Sequence, residues 1–140
     1  MAVHVLAVLA YKEGDRVTSA LLAASVNTNP VVIRRLLLAL QGAKLVETRR
    51  GAGFGSRLNC SPARINLAQV YRAVEQPESF VMARGMPDIA CPVGHCIHAE
   101  LQRVFESAQK ALEQDLARTT LAAILDTVKA SSPGRNLKTK

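Results

Sequence analysis

Two stretches carry residue types able to do chemistry. "CPVGHCIH", residues 91–98, sets two thiols and two imidazoles (Cys91, His95, Cys96, His98) within eight residues. Such donors suit zinc, or iron in a cluster. The thiols could instead form a redox switch if exposed and readily ionised, or serve as small apolar residues. "RRGAGFG", residues 49–55, places glycines at alternate positions behind two arginines. Glycines of this kind cradle phosphate when a helix follows at once, so that its free N–H groups face the anion. Here "SRLNCSP" follows, which leaves no room for a useful helix before Pro62, and no Gly-Lys-Ser/Thr is present. The glycines therefore read as a hairpin tip, with Arg49, Arg50 and Arg57 at its base. No Ser–His–Asp or paired-carboxylate set emerges, and an enzyme is not expected.

The elements that position these residues are mostly helical. Apolar residues recur at Val5, Leu6, Leu9 and Ala10 in a helix over 2–11. Thr18 caps a second helix running to about Val26, with Leu21, Leu22 and Val26 inward. Asn29 caps a third, Pro30 takes its first position where a missing N–H costs nothing, and Ile33, Leu36, Leu37 and Leu40 form its inner face. Gly42 is expected to end it. "KLVETRR" and "SRLNC" are short β-compatible runs that make the hairpin. Asn66 caps a helix to about Glu75, with Leu67, Val70, Tyr71 and Val74 inward. Residues 76–94 hold three prolines and two glycines without a period. From about His95 to Arg118 the stripe Ile97, Leu101, Val104, Phe105, Ala108, Leu112, Leu116 persists for about five to six turns. Thr120 caps a last helix over 121–129.

The chain has 140 residues, the size of one domain, and a formal net charge of +7. That charge is uneven. Residues 12–60 carry eight Lys or Arg against three Asp or Glu, whereas residues 61–128 carry six against eight. A basic front half on a mildly acidic back half suits a polyanion-binding module joined to something else. No apolar run approaches the roughly twenty residues that cross a bilayer. No basic segment precedes the first apolar run, so neither a signal peptide nor a membrane partner is expected, and a cytoplasmic protein is.

Three helices followed by a basic hairpin are the order of a winged helix–turn–helix, whose third helix enters the major groove of double-stranded DNA. The stretch "VTSALLAASVNTNPVVIRRLLLALQGAKLVETRRGAGFGSRL" resembles the DNA-binding half of the Rrf-two family of bacterial transcription regulators. "INLAQVYRAVE", "CPVG" and "LARTTLAAIL" extend the resemblance over about residues 1–128. It departs at the wing, where the family usually has an unbroken glycine triplet followed by an aromatic. Here Phe54 takes the middle glycine and Ser56 the aromatic position. The resemblance implies a homodimer in which the long helix crosses its twin.

The expected fold is therefore mainly α: a winged helix–turn–helix over residues 1–75 and a connecting loop with a candidate sensor segment over 76–94. Dimerisation helices over 95–129 and a disordered tail over 130–140 complete it. Thr28, Asn29, Val31, Val32, Arg34 and Arg35 are placed to approach bases, and Arg49, Arg50 and Arg57 to hold phosphate or the minor groove. Ile97, Leu101, Val104, Phe105, Ala108 and Leu112 are the expected dimer interface. Relatives that bind an iron–sulphur cluster use three cysteines in the connection. Cys91 matches the last, but "ESFVMARGMPDIA" supplies neither of the others. The adopted reading has no cofactor. Its alternatives are a thiol sensor at Cys91 and Cys96, or a cluster or zinc drawn from Cys91, Cys96, His98 and the first-helix His4. A repressor on a palindromic operator is the expected function. The rival is a redox-active or metal-binding protein that uses a winged helix for protein contacts.

Overall fold

The computed structural model describes residues 1–12, 14–49, 51, 53–74, 88 and 90–131. The connection over 76–87, the tail from 132 and Arg50 among the candidate DNA contacts lie outside these residues. Among the described residues, six helices and one hairpin follow in order: α1 (Ala2–Tyr11), α2 (Ser19–Val26), α3 (Pro30–Gly42), β1 (Val46–Arg49), β2 (Gly55–Leu58), α4 (Leu67–Val74), α5 (Pro92–Ala117) and α6 (Leu121–Ser131). A 3-10 turn, Pro62–Arg64, leads from the hairpin into α4.

The helix starts are built as their capping residues dictate. The Thr18 hydroxyl accepts from the Leu21 N–H, and the Asn29 side-chain Oδ1 from the Val31 N–H at 2.8 Å. Asn66 and Gln69 form a reciprocal box, each side chain accepting from the other's backbone N–H at 2.9 Å. Between α2 and α3, Asn27 adopts the left-handed conformation, and Thr28 N–H returns to the Ala23 carbonyl at 2.9 Å. That closure fixes the angle of the helix–turn–helix.

α1, α2, α3 and the hairpin enclose one core, in which Val5, Leu6, Leu22, Ile33, Leu40 and Ile65 are fully buried. Each such side chain contributes roughly 1.5–3 kcal/mol on leaving water. α6 joins this core through Leu121 and Leu125. It is stitched there by Leu67 N–H to the Thr119 carbonyl and Leu121 N–H to the Ile65 carbonyl. The expected grouping of α5 with α6 therefore divides, since α6 packs on α1 while α5 rests on α4.

Three local expectations need correction. α5 begins at Pro92, not near His95, because Cys91 stands at the N-cap and Pro92 at the first helical position, where proline is tolerated. α3 ends at Gly42 as expected, and a left-handed residue follows two positions later. Lys44 takes that conformation at φ 59, its carbonyl held by the Asn59 side chain at 2.9 Å. The second strand ends at Leu58, before Cys60. Val74 is exposed and Ala68 is buried, because α4 turns its 68–70 side inward.

Candidate nucleic-acid interface

α3 and the wing face each other across a cleft of about 600 Å³. Arg34, Leu37, Leu38 and Gln41 of α3 line one wall. Thr48, Arg49, Gly51, Phe54, Gly55 and Ser56 line the other, and Ser19 of α2 closes an end. Ile33, Leu37 and Leu40 are driven into the core, so the helical period turns Val31, Arg34, Arg35 and Leu38 outward together. Val31 and Val32 are exposed apolar residues at the helix start. Thr28 is half-buried, and Asn29 commits its side-chain Oδ1 to the cap, leaving only its amide NH₂ to reach out.

The wing is an antiparallel pair in which Glu47 faces Arg57, Thr48 faces Ser56 and Arg49 faces Gly55. A third segment fastens it. Val17 and Ser56 exchange two backbone hydrogen bonds of 2.8 Å, and the buried Ser56 hydroxyl meets Thr48 Oγ1 at 2.9 Å. Gly55 has φ +132, and a side chain there would press on Arg16 Cβ at 3.0 Å and the Val17 carbonyl at 3.1 Å. Only glycine permits both the conformation and that approach.

Glu47 is the electrostatic centre of the wing. Its carboxylate meets Arg16 at 2.8 Å, Arg57 at 2.9 Å and Arg49 at 3.3 Å. Hydrogen bonds from Arg16 first and then Arg57 lower its pKa from 4.5 to about 2. Arg57 is thus tethered, whereas Arg49 remains largely exposed with a longer contact. Arg34 and Arg35 form no ion pair among the described residues. The structure brings Arg34 and Arg49 to one cleft and sets Arg57 on β2 beside it.

Sequence reasoning missed Leu38, Gln41, Phe54 and the Glu47 hub as parts of this surface. Leu38 and Gln41 were detectable, since they continue Val31 and Arg34 at helical spacing. Glu47 entered only as a subtraction from the net charge. Its position opposite Arg57 follows from the hairpin register, which the glycine-rich turn left open.

Away from the cleft, α5 leaves apolar side chains in solvent. Ile97, Leu101, Val104 and Leu112 are 40%, 37%, 50% and 39% exposed, and Ala108 is exposed beside them. Phe105 is half-buried nearer the α4 side, where Gln109 meets Tyr71 and Glu113 receives Arg72 Nε at 2.7 Å.

Cys91 and Cys96 are exposed free thiols, and Cys60 is half-buried. Backbone N–H groups of Gly94 first and then Val93 lower the Cys91 thiol pKa. Residues five apart on a helix lie roughly 8–9 Å apart by helical geometry. A disulfide spans at most about 7 Å between Cα atoms, so Cys91 and Cys96 of one chain cannot bridge without unwinding α5. His4 Nε2 lies 3.3 Å from Ser25 Oγ on α2, and His98 is half-buried on α5. Among the described residues, no three His, Cys, Asp or Glu side chains gather as a metal site. The described donors of one chain therefore do not assemble a cluster or zinc site.

Helix–turn–helix, basic wing and long following helix define a winged-helix transcriptional regulator. The chain belongs to the Rrf2 family, described as "Iron-dependent Transcriptional regulator", whose profile matches residues 1–127. It is 38% identical over 126 residues to YwnA of Bacillus subtilis (strain 168), named as a candidate HTH-type transcriptional regulator; this spans 90% of the chain and 92% of YwnA. A solved structure described as a candidate DNA-binding protein shares 38% identity at TM-score 0.72, over 89% of this chain and 95% of that one. CymR (YrzC), the global cysteine regulator of B. subtilis, matches in fold at 23% identity and TM-score 0.64, over 90% and 91%. The family and these relatives are regulators rather than enzymes. Among the described residues no helix is long and apolar enough to cross a membrane.

Proposed function

We propose that this chain is a cytoplasmic homodimeric repressor that binds a palindromic operator through α3 and the wing. The observation that carries the reading is the cleft with Arg34 on one wall and Arg49 on the other. One sugar–phosphate strand separates the major groove from the minor groove. A helix in the first and a wing in the second must straddle that strand, and a cleft lined by two guanidiniums plus Ser19, Gln41 and Thr48 donors suits it. Thr28, Asn29, Val31, Val32, Arg34 and Arg35 then face bases, while Arg49, Arg50 and Arg57 hold the backbone.

The apolar stripe of α5 supports the dimer. Ile97, Leu101, Val104 and Ala108 recur at four–three–four spacing, the seam of paired helices, with Phe105 and Leu112 at its edge. Pairing along it would set two α3 helices about one or two turns of duplex apart, multiples of roughly 34–36 Å.

A thiol response at Cys91 is the reading of the sensor segment. The thiol is exposed, its pKa is lowered by the backbone N–H groups of Gly94 and then Val93, and it is more apt to react with a separate thiol than with Cys96. An iron–sulphur cluster or zinc would need ligands beyond the set the described residues bring together. If oxidant changes DNA affinity, Cys91→Ser should abolish the change; an undiminished response would remove this part of the reading.

The test of the main reading is operator selection from a random pool, followed by affinity measurements. Arg34→Ala should alter sequence preference, weakening selected duplexes by about 1–3 kcal/mol more than random ones. Arg49→Ala should weaken both alike. Equal losses on both duplex types for both variants would contradict the assignment.

A further inference from the structure

Two large apolar side chains stand in water on the rim of the cationic cleft. Phe54 at the wing tip is 63% exposed and Leu38 of α3 is 62% exposed. Phe54 lies between Gly53 and Gly55, both at positive φ, so the chain reverses at the ring. Its C-terminal neighbour is fixed. Gly55 is wedged against Arg16 and Val17, its carbonyl lies 3.4 Å from Arg16 Nη1, and Ser56 is paired to Val17. The hub at Glu47 then ties that same Arg16 to Arg57 of β2. An aromatic ring is thus presented on a braced stalk, across from Arg34 and beside Arg49. Apolar surface surrounded by cations fits a partner with anionic edges and a stacked apolar interior. Duplex DNA has both.

We infer that Phe54 is an apolar wedge that enters the minor groove, partly unstacks one base step and bends the duplex toward the major groove occupied by α3. This rests on the DNA-binding reading above. Inserted apolar side chains open base steps in this way, and pyrimidine–purine steps (TA, CA/TG) yield most easily. Phe54 therefore selects a deformable step beneath the wing without hydrogen-bonding any base. Arg34 reads edges, and Phe54 reads stiffness.

The test uses the full chain and 30-bp duplexes that the wild-type protein selects from a random pool, labelled at both ends for energy transfer. Wild type should bend its duplex on the order of 20–90°. Phe54→Ala should bind on the order of tenfold more weakly with the bend lost, since the contacts that unstack the step are gone. The salt dependence should stay unchanged, because no phosphate contact is removed. Phe54→Leu should keep most of the bend, and replacing the pyrimidine–purine step should hurt wild type more than Phe54→Ala. Position 54 is exposed, so all variants should melt with wild type. A Phe54→Ala complex as bent as wild type, or a wild-type complex with a straight duplex, would overturn the wedge alone. Absence of salt-sensitive binding to any duplex would overturn both the wedge and the reading beneath it.

Discussion

Glu47 shows how one carboxylate sets the chemistry of a basic surface. With three guanidiniums within 3.3 Å, it fixes Arg16 and Arg57 to the wing and leaves Arg49 the freest of the three. Its depressed pKa has a direct consequence for stability. A group whose folded pKa lies below its unfolded value stabilises the fold above the unfolded pKa, and that contribution is lost as pH falls through the folded one. For Glu47 the window runs from 4.5 down to about 2. Glu47→Gln should lower the thermal midpoint at neutral pH, and the gap to wild type should close as pH falls through that window. Circular dichroism melts across pH check it, and a gap unchanged down to pH ~2 would mean that the hub does not stabilise the fold.

At the scale of elements, caps do much of the positioning. Asn29 starts α3 beside the exposed Val31 and Val32, so Asn29→Ala should cost about 1 kcal/mol in denaturant unfolding. A loss near zero would show the cap to be replaceable by water. Thr18, Asn29, Pro30, Asn66 and Thr120 were all readable, because capping chemistry is local and needs only a few neighbouring residues. The start of α5 was not. Pro92 and Gly94 look like loop residues, yet proline is welcome at a first helical position, and Gly94 is needed because any side chain would strike the Asp88 backbone. That approach is tertiary, and no window of sequence contains it. The same holds for Val17 pairing with Ser56, a bridge between residues 39 apart that braces the wing. Arg34 and Arg49 share the cleft and Arg57 stands on β2 beside it, but the differing freedom of the two wing arginines depends on Glu47, whose role needs the strand register.

The whole molecule separates two tasks. The core of α1, α2, α3, hairpin, α4 and α6 holds the basic cleft, while α5, 26 residues and roughly 39 Å long, carries an exposed apolar stripe away from it. Pairing two copies along that stripe would present the backbone-holding Arg49, Arg50 and Arg57 twice, against on the order of six phosphates. The most direct measurement is the affinity of the wild-type chain for its selected duplex as salt is raised. The account predicts that log affinity falls against log salt with a slope of about −5, and clearly less steeply after Arg49→Ala with Arg57→Ala. A slope near zero, or one untouched by removing both arginines, would contradict it.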